Sequence, residues 1–170
     1  MENLDQTQQE APKRPVFLTV LCILTLIVTG FGVIGGLTGL FSGPQSPEAI
    51  AELQSSSEQS AQMLEDMGSV YWAGEIRKVN QIVEYTQTKF HTSTFISLLT
   101  ALVGLVSALL MLRGRKNGFH LYIIYNLLNL VGVYAYVPIR EVPVFMLITN
   151  TLISALFIFL YSRNLRYMNK

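Results

Sequence analysis

The chain has 170 residues, 51% hydrophobic and 14% charged, with a net charge of +1 and one Cys. An average soluble domain carries about 25% charged residues and no charge-free runs of about 20 residues, and this chain has four such runs. The composition therefore excludes an ordinary soluble domain, an internal disulfide and an overall basic footprint for nucleic acid.

Residues 1–15 are polar, with Gln6, Gln8 and Gln9, and predict a short disordered cytoplasmic tail. Residues 16–41 are the first apolar run. It is longer than the about 7–15 residues of a signal-peptide core, and no small-residue cleavage site follows. The residues before Cys22 do not fit a lipoprotein signal, so the run predicts an uncleaved first transmembrane helix. Thr25, Gly32, Gly36 and Gly39 share one face of it, and Gly32/Gly36 and Gly35/Gly39 are overlapping GxxxG pairs. Small residues let helices approach closely where lipid gives no hydrophobic drive. The stripe serves either packing within the bundle or a seam for another subunit.

Residues 42–91 form the one long polar segment and predict a helical hairpin. Ser46 is a natural N-cap, with Pro47 at N1 and Glu48 in the first turn. Gly68 breaks the pattern. Trp72, Ile76, Val79 and Val83 then recur at helical spacing. They either pack on the preceding helix or offer a face to a partner. No breaker separates them from the next apolar run, so one continuous helix is expected from about Tyr71 to Leu112, its outer part projecting about 30 Å at 1.5 Å per residue.

Residues 92–162 hold the remaining three spans. The second carries Ser93, Ser97, Thr100, Gly104, Ser107 and Met111 on one face. A basic turn from Arg113 to Gly118 follows. On the third, Tyr122, Tyr125, Asn126, Asn129, Gly132 and Tyr136 share a face. On the fourth, Asn150 and Ser154 do. An amide in hydrocarbon needs a partner, so Asn126, Asn129 and Asn150 are expected to point inward and bond across helices. They would act as polar glue, as the lining of a small-molecule pocket, or as a contact surface within a larger assembly. Pro138 and Pro143 bracket a turn at Arg140-Glu141. Tyr134 and Tyr136 at one end, and Tyr161 and Tyr167 at the other, suit interfacial aromatic belts.

Lys and Arg divide eight to four between the two sides: Lys13, Arg14, Arg113, Arg115, Lys116, Arg163, Arg166 and Lys170 against Arg77, Lys78, Lys89 and Arg140. The positive-inside rule then puts both termini, including the tail 163–170, in the cytoplasm and residues 42–91 outside.

A catalyst needs a nucleophile, a base or a metal, and between their ends the spans contain no Asp, Glu, Lys or Arg. No phosphate loop, zinc spacing or hydrolase elbow occurs. His91 and His120 belong to opposite ends of the spans, about 30 Å apart, and cannot share one haem iron. His91 with Met146, or His120 with Met111, are the remaining pairings. The expectation is a protein with no catalytic residues, no metal and no cofactor.

The stretch Arg14-Pro15-Val16-Phe17-Leu18-Thr19-Val20-Leu21-Cys22-Ile23-Leu24-Thr25 resembles the start of uncharacterised small four-span inner-membrane proteins of Bacteroidota. That resemblance implies an inner-membrane location with residues 42–91 in the periplasm, and brings no activity or site residues. Tetraspanins and claudins share the topology but pair cysteines in their outer loops, which this chain lacks.

The fold expected is all-α: a four-helix transmembrane bundle with a periplasmic helical hairpin between the first and second spans. The function expected is a non-enzymatic accessory or scaffold subunit of a larger inner-membrane complex. Its partners are the lipid bilayer and other membrane subunits or further copies of itself. Contact residues would be Trp72, Ile76, Val79 and Val83 outside, and Tyr125, Asn126 and Asn129 within. Gly32, Gly36, Gly39, Gly104 and Asn150 would pack helices. The alternative is a small-solute channel or carrier with a path lined by Ser97, Thr100, Asn126, Asn129 and Asn150.

Overall fold

The computed structural model describes residues 15–167. The tail at 1–14, with Lys13 and Arg14, and Lys170 lie outside the described residues, as does the side chain of Arg166. Six helices follow in order: α1 (Val16–Ser42), α2 (Pro47–Asp66), α3 (Val70–Thr88), α4 (Phe90–Leu112), α5 (Lys116–Val131) and α6 (Val144–Ser162). Among the described residues there are no strands. Four helices are long and apolar enough to cross a membrane: α1, α4, α6 and α5 with its extension to Ala135. The chain is thus a multi-pass integral membrane protein.

The spans stand in a row, α1 beside α4, α4 beside α5 and α5 beside α6. α4 is central because its small residues admit a neighbour on each side. A Cβ added at Gly104 would lie 2.6 Å from Thr29 Cγ2 of α1 and 2.7 Å from Tyr125 Cδ2 of α5. Three helices meet at that glycine, and no larger residue fits without moving one of them. Higher on the α1–α4 seam, a Cβ at Gly32 would meet Ala101 Cβ at 3.1 Å, and one at Gly36 would meet Leu98 Cδ1 at 3.0 Å. Gly39 faces Thr94 across 3.7 Å. The glycine face of α1 is therefore occupied by α4.

The third span is not one uniform helix. From Gly132 to Ala135 the backbone tightens into a 3-10 turn. A Cβ at Gly132 would come within 2.9 Å of Ile96 Cγ2, so α4 crowds the helix there. A second 3-10 turn spans Ile139–Glu141, and Pro143 begins α6.

The hairpin starts as its capping signal implies: Ser46 Oγ accepts a hydrogen bond from the Ala49 amide at 3.3 Å, and Gly68 turns with φ of +80°. α2 and α3 are clipped by Arg77, which reaches Glu58 at 2.9 Å and Glu65 at 2.6 Å, and by a hydrogen bond between Ser57 and Asn80. These ion-pair side chains are more than a third exposed, so solvent screens the pairs and each adds little stability.

The expected continuous helix from Tyr71 to Leu112 does not form. Lys89, with φ −111° and ψ 40°, leaves helical geometry and separates α3 from α4. Ser93 Oγ spans the break, donating to the Thr86 and Phe90 carbonyls. The bend has a physical cause at the far end of α3. There the Glu75 carboxylate accepts the Phe145 amide at 3.4 Å, and the Trp72 ring lies 5.8 Å from the Phe145 ring. With one end joined to α4 and the other held to the start of α6, α3 lies across the end of the bundle and does not project from it.

Candidate functional site

The bundle is solid at one end and hollow at the other. At the end bearing Arg113, Arg115, Lys116 and Arg163, the buried side chains of Leu18, Leu21, Cys22, Met111, Phe119, Tyr122 and Tyr161 form one apolar cluster. Tyr161 is completely buried. Its hydroxyl pairs with Thr25 Oγ1 at 2.8 Å, and its ring meets the Tyr122 ring edge-on at 4.7 Å. An interfacial position for Tyr161 is therefore corrected: it locks α6 to α1 inside the bundle. Asn164 Nδ2 donates to the Leu160 carbonyl at 2.8 Å and finishes the helix end.

Beyond Thr25, α6 draws away from its neighbours. Tyr161 is its single fully buried residue. Two adjoining cavities open along the seam. The outer, of about 310 Å³, is lined by residues of α1, α4, α5 and α6, together with Ile82 of α3. The inner, of about 240 Å³, lies between α1, α5 and α6. Val28, Tyr125, Asn129, Leu130 and Asn150 belong to both. No Asp, Glu, Lys or Arg lines either.

The residues expected on the polar stripes converge here. Ser97, Thr100, Asn129, Gly132, Tyr136 and Asn150 line the outer cavity, and Tyr122, Asn126 and Ser154 the inner one. Their bonding differs from the expected cross-helix pairing. Asn126 is buried but donates to the Tyr122 carbonyl at 2.7 Å, one turn back on its own helix. Asn129, largely exposed to the cavity, reaches only the Tyr125 hydroxyl, at 3.5 Å on the same helix. Among the described residues, Ser97, Thr100, Asn150 and Ser154 have no hydrogen-bond partner, although Thr100 is only 7% exposed. Polar groups in a membrane interior without partners are costly.

The outer helix face is only partly free. Trp72 is half exposed yet sits on Phe145, and Ile76, Val79 and Val83 are partly buried. Glu75 sits between Trp72 and Val79 in position and is buried in the fold. An acid interrupting an apolar stripe is the signal that could have singled it out. Removal from water pushes its carboxyl up. The Lys78 ammonium at 2.9 Å and the amides at the start of α6 outweigh that, and hold it below the ordinary glutamate range. The hydrogen bond to Glu75 raises Lys78 in turn. Bonds from Arg77 lower Glu65.

Among the described residues, no three His, Cys, Asp or Glu gather as a metal would require. His91 and His120 are exposed. His91 stacks beside Phe90, and His120 Nδ1 lies 3.2 Å from the Lys116 carbonyl. Met111, the suggested partner of His120, is packed into the plug with 1% exposure. The chain matches no protein-family model, no curated protein and no solved structure.

Proposed function

We propose that this protein is a non-catalytic membrane receptor or carrier that holds a small molecule within the bilayer, in the two adjoining cavities along the seam of α1, α4, α5 and α6. The observation that carries this reading is the convergence of the Thr100, Ser97 and Asn150 side chains, none with a hydrogen-bond partner among the described residues, on one cavity wall. Polar groups converging in a largely preformed, mostly apolar cavity are the usual make-up of a small-molecule site. The plug around Tyr161 favours a pocket over an open pore, because the cavity meets a packed floor. The surrounding assignment is an inner-membrane protein with both termini cytoplasmic and residues 42–91 periplasmic. The eight-to-four partition of Lys and Arg supports it. A reporter fused after Lys170 should read as cytoplasmic.

Aminoanthracene, a small neutral fluorophore, tests the pocket in reconstituted bilayers. Binding should saturate, and Ser154→Trp, which fills the inner cavity, should abolish it. The same liposomes should show no resting ion conductance. Unsaturable partitioning that ignores Ser154→Trp, or steady conductance, would overturn the reading.

A second reading, an accessory or scaffold subunit of a larger complex, is favoured by one observation: α6 leaves almost its whole length uncovered. Tyr125, Asn126 and Asn129 would then meet a partner through the open seam. Mild-detergent purification should recover that partner, and elution as a lone monomer or homo-oligomer would exclude it.

A further inference from the structure

Resting on the pocket reading, we propose that the ligand is an uncharged amphiphile bearing hydroxyl or carbonyl groups, which enters sideways from the lipid. Three observations set its chemistry. First, the lining offers amides and hydroxyls but no charged side chain. A carboxylate, phosphate or ammonium would be desolvated there with nothing to neutralise it, and is rejected on that ground. Second, Asn129 and Asn150 stand where the two cavities join. A primary amide both donates and accepts, so the pair suits a group that does both, such as a glycerol hydroxyl beside an ester carbonyl. Third, the remaining wall is aliphatic and aromatic, with Leu130, Ile153 and Phe157 in the inner lobe. This wall fits a hydrocarbon tail.

The route follows from the walls. Ile82 of α3 contributes to the wall of the outer cavity, and the Thr25–Tyr161 pair with its apolar surround floors the inner one. Leu24, Val28 and Ile153 line the inner lobe while 49%, 58% and 50% exposed. They flank an opening between α1 and α6 that faces acyl chains. A ligand already dissolved in the membrane reaches the amides through that opening without crossing water.

The probe is a medium-chain monoacylglycerol with a diazirine in its tail. An alkyl sulfonate with the same tail serves as the charged counterpart, and both are added to the full chain in nanodiscs. On illumination the glycerol probe should label α1, α5 and α6 around Asn129 and Asn150. Labelling should saturate and yield to unlabelled monoacylglycerol, and the sulfonate should neither label these positions nor compete. Thr100→Val with Asn150→Leu should lower apparent affinity about tenfold while the melting temperature holds. Thr151→Val should change nothing, because that hydroxyl already bonds the Leu147 carbonyl at 2.7 Å. Equal labelling by the sulfonate, or indifference to the double variant, would overturn the ligand class and leave the pocket standing. Absence of saturable labelling by either probe would overturn both.

Discussion

The two halves of the bundle use similar residues to opposite effect. Near the basic turn, a Thr hydroxyl and a Tyr hydroxyl find each other across helices, and Tyr161 loses all contact with its surroundings outside the fold. About three turns away on α6, Asn150 points to a void and bonds nothing among the described residues. The difference lies in what α6 can touch. Where α1 and α5 present Leu21, Cys22 and Tyr122, α6 has bulk to pack on. Where they present Val28, Tyr125 and Asn129, it stands clear. Polar residues close a membrane bundle only when geometry brings partners within reach; otherwise they line a site.

The sharpest way to break that contrast is to remove equal bulk from each half. Met111→Ala empties a position 1% exposed and should cost about 2–5 kcal/mol. Met146→Ala, on the cavity wall and 39% exposed, should cost under about 1 kcal/mol, since little packing is lost there. Reversible unfolding in mixed micelles would measure both, and equal losses would mean that the halves are packed alike.

Next in size is the crossing point. Gly104→Ala sets a methyl against Thr29 and Tyr125 at under 3 Å and should cost about 1–3 kcal/mol. Gly35→Ala, with nothing within 4 Å of the added Cβ, should be neutral or slightly stabilising through helix propensity, by up to about 1 kcal/mol. The same assay reads this pair, and similar effects would show that α4 does not hold α1 and α5 through Gly104.

Much of this was legible in the chain. The four spans, the Ser46 cap, the Gly68 turn and the small face of α4 all follow from local spacing. The stripes of Ser97, Asn129 and Asn150 were legible as faces, but whether they would pair or stay apart was not. That depends on the distance α6 keeps, which no periodicity encodes. The break at Lys89 was hidden for a related reason. Nothing in Thr88-Lys89-Phe90 opposes a helix, and the bend is imposed by Glu75 and Trp72 meeting Phe145, 70 residues away for the Glu75 bond. Tyr161 was misplaced because a Tyr near a span end reads equally as belt or core until its partner, Thr25, is known.

The α3 latch gives a smaller, pH-dependent effect. Because the native fold holds Glu75 below its ordinary 4.5, its contribution is fully present above that value. It is lost as pH falls through the lower native value, where protonation weakens the bonds from Lys78 and Phe145. Trp72, the one tryptophan of the chain, lies beside Phe145 and reports docking. Its emission should shift on acidification below about pH 4.5, reversibly, while the helices of the bundle persist. Glu75→Gln should give the shifted emission at neutral pH, at a cost of about 1–2 kcal/mol in docking. A pH profile identical in the variant would assign the shift to another group.

The smallest expected effect separates glue from pocket most directly. An Asn that binds helices together loses stability when replaced by Leu; one that waits for a ligand does not. Asn126 has a bond to lose, to the Tyr122 carbonyl, and Asn126→Leu should cost about 0.5–1 kcal/mol. Asn150 has none, and Asn150→Leu removes an amide from an apolar setting, so without ligand the protein should be unchanged or more stable by up to about 1 kcal/mol. A loss above about 1 kcal/mol for Asn150→Leu would mean that α6 closes onto α5 in the membrane and the amide pairs there. The void along the seam, and the role built on it, would then go together.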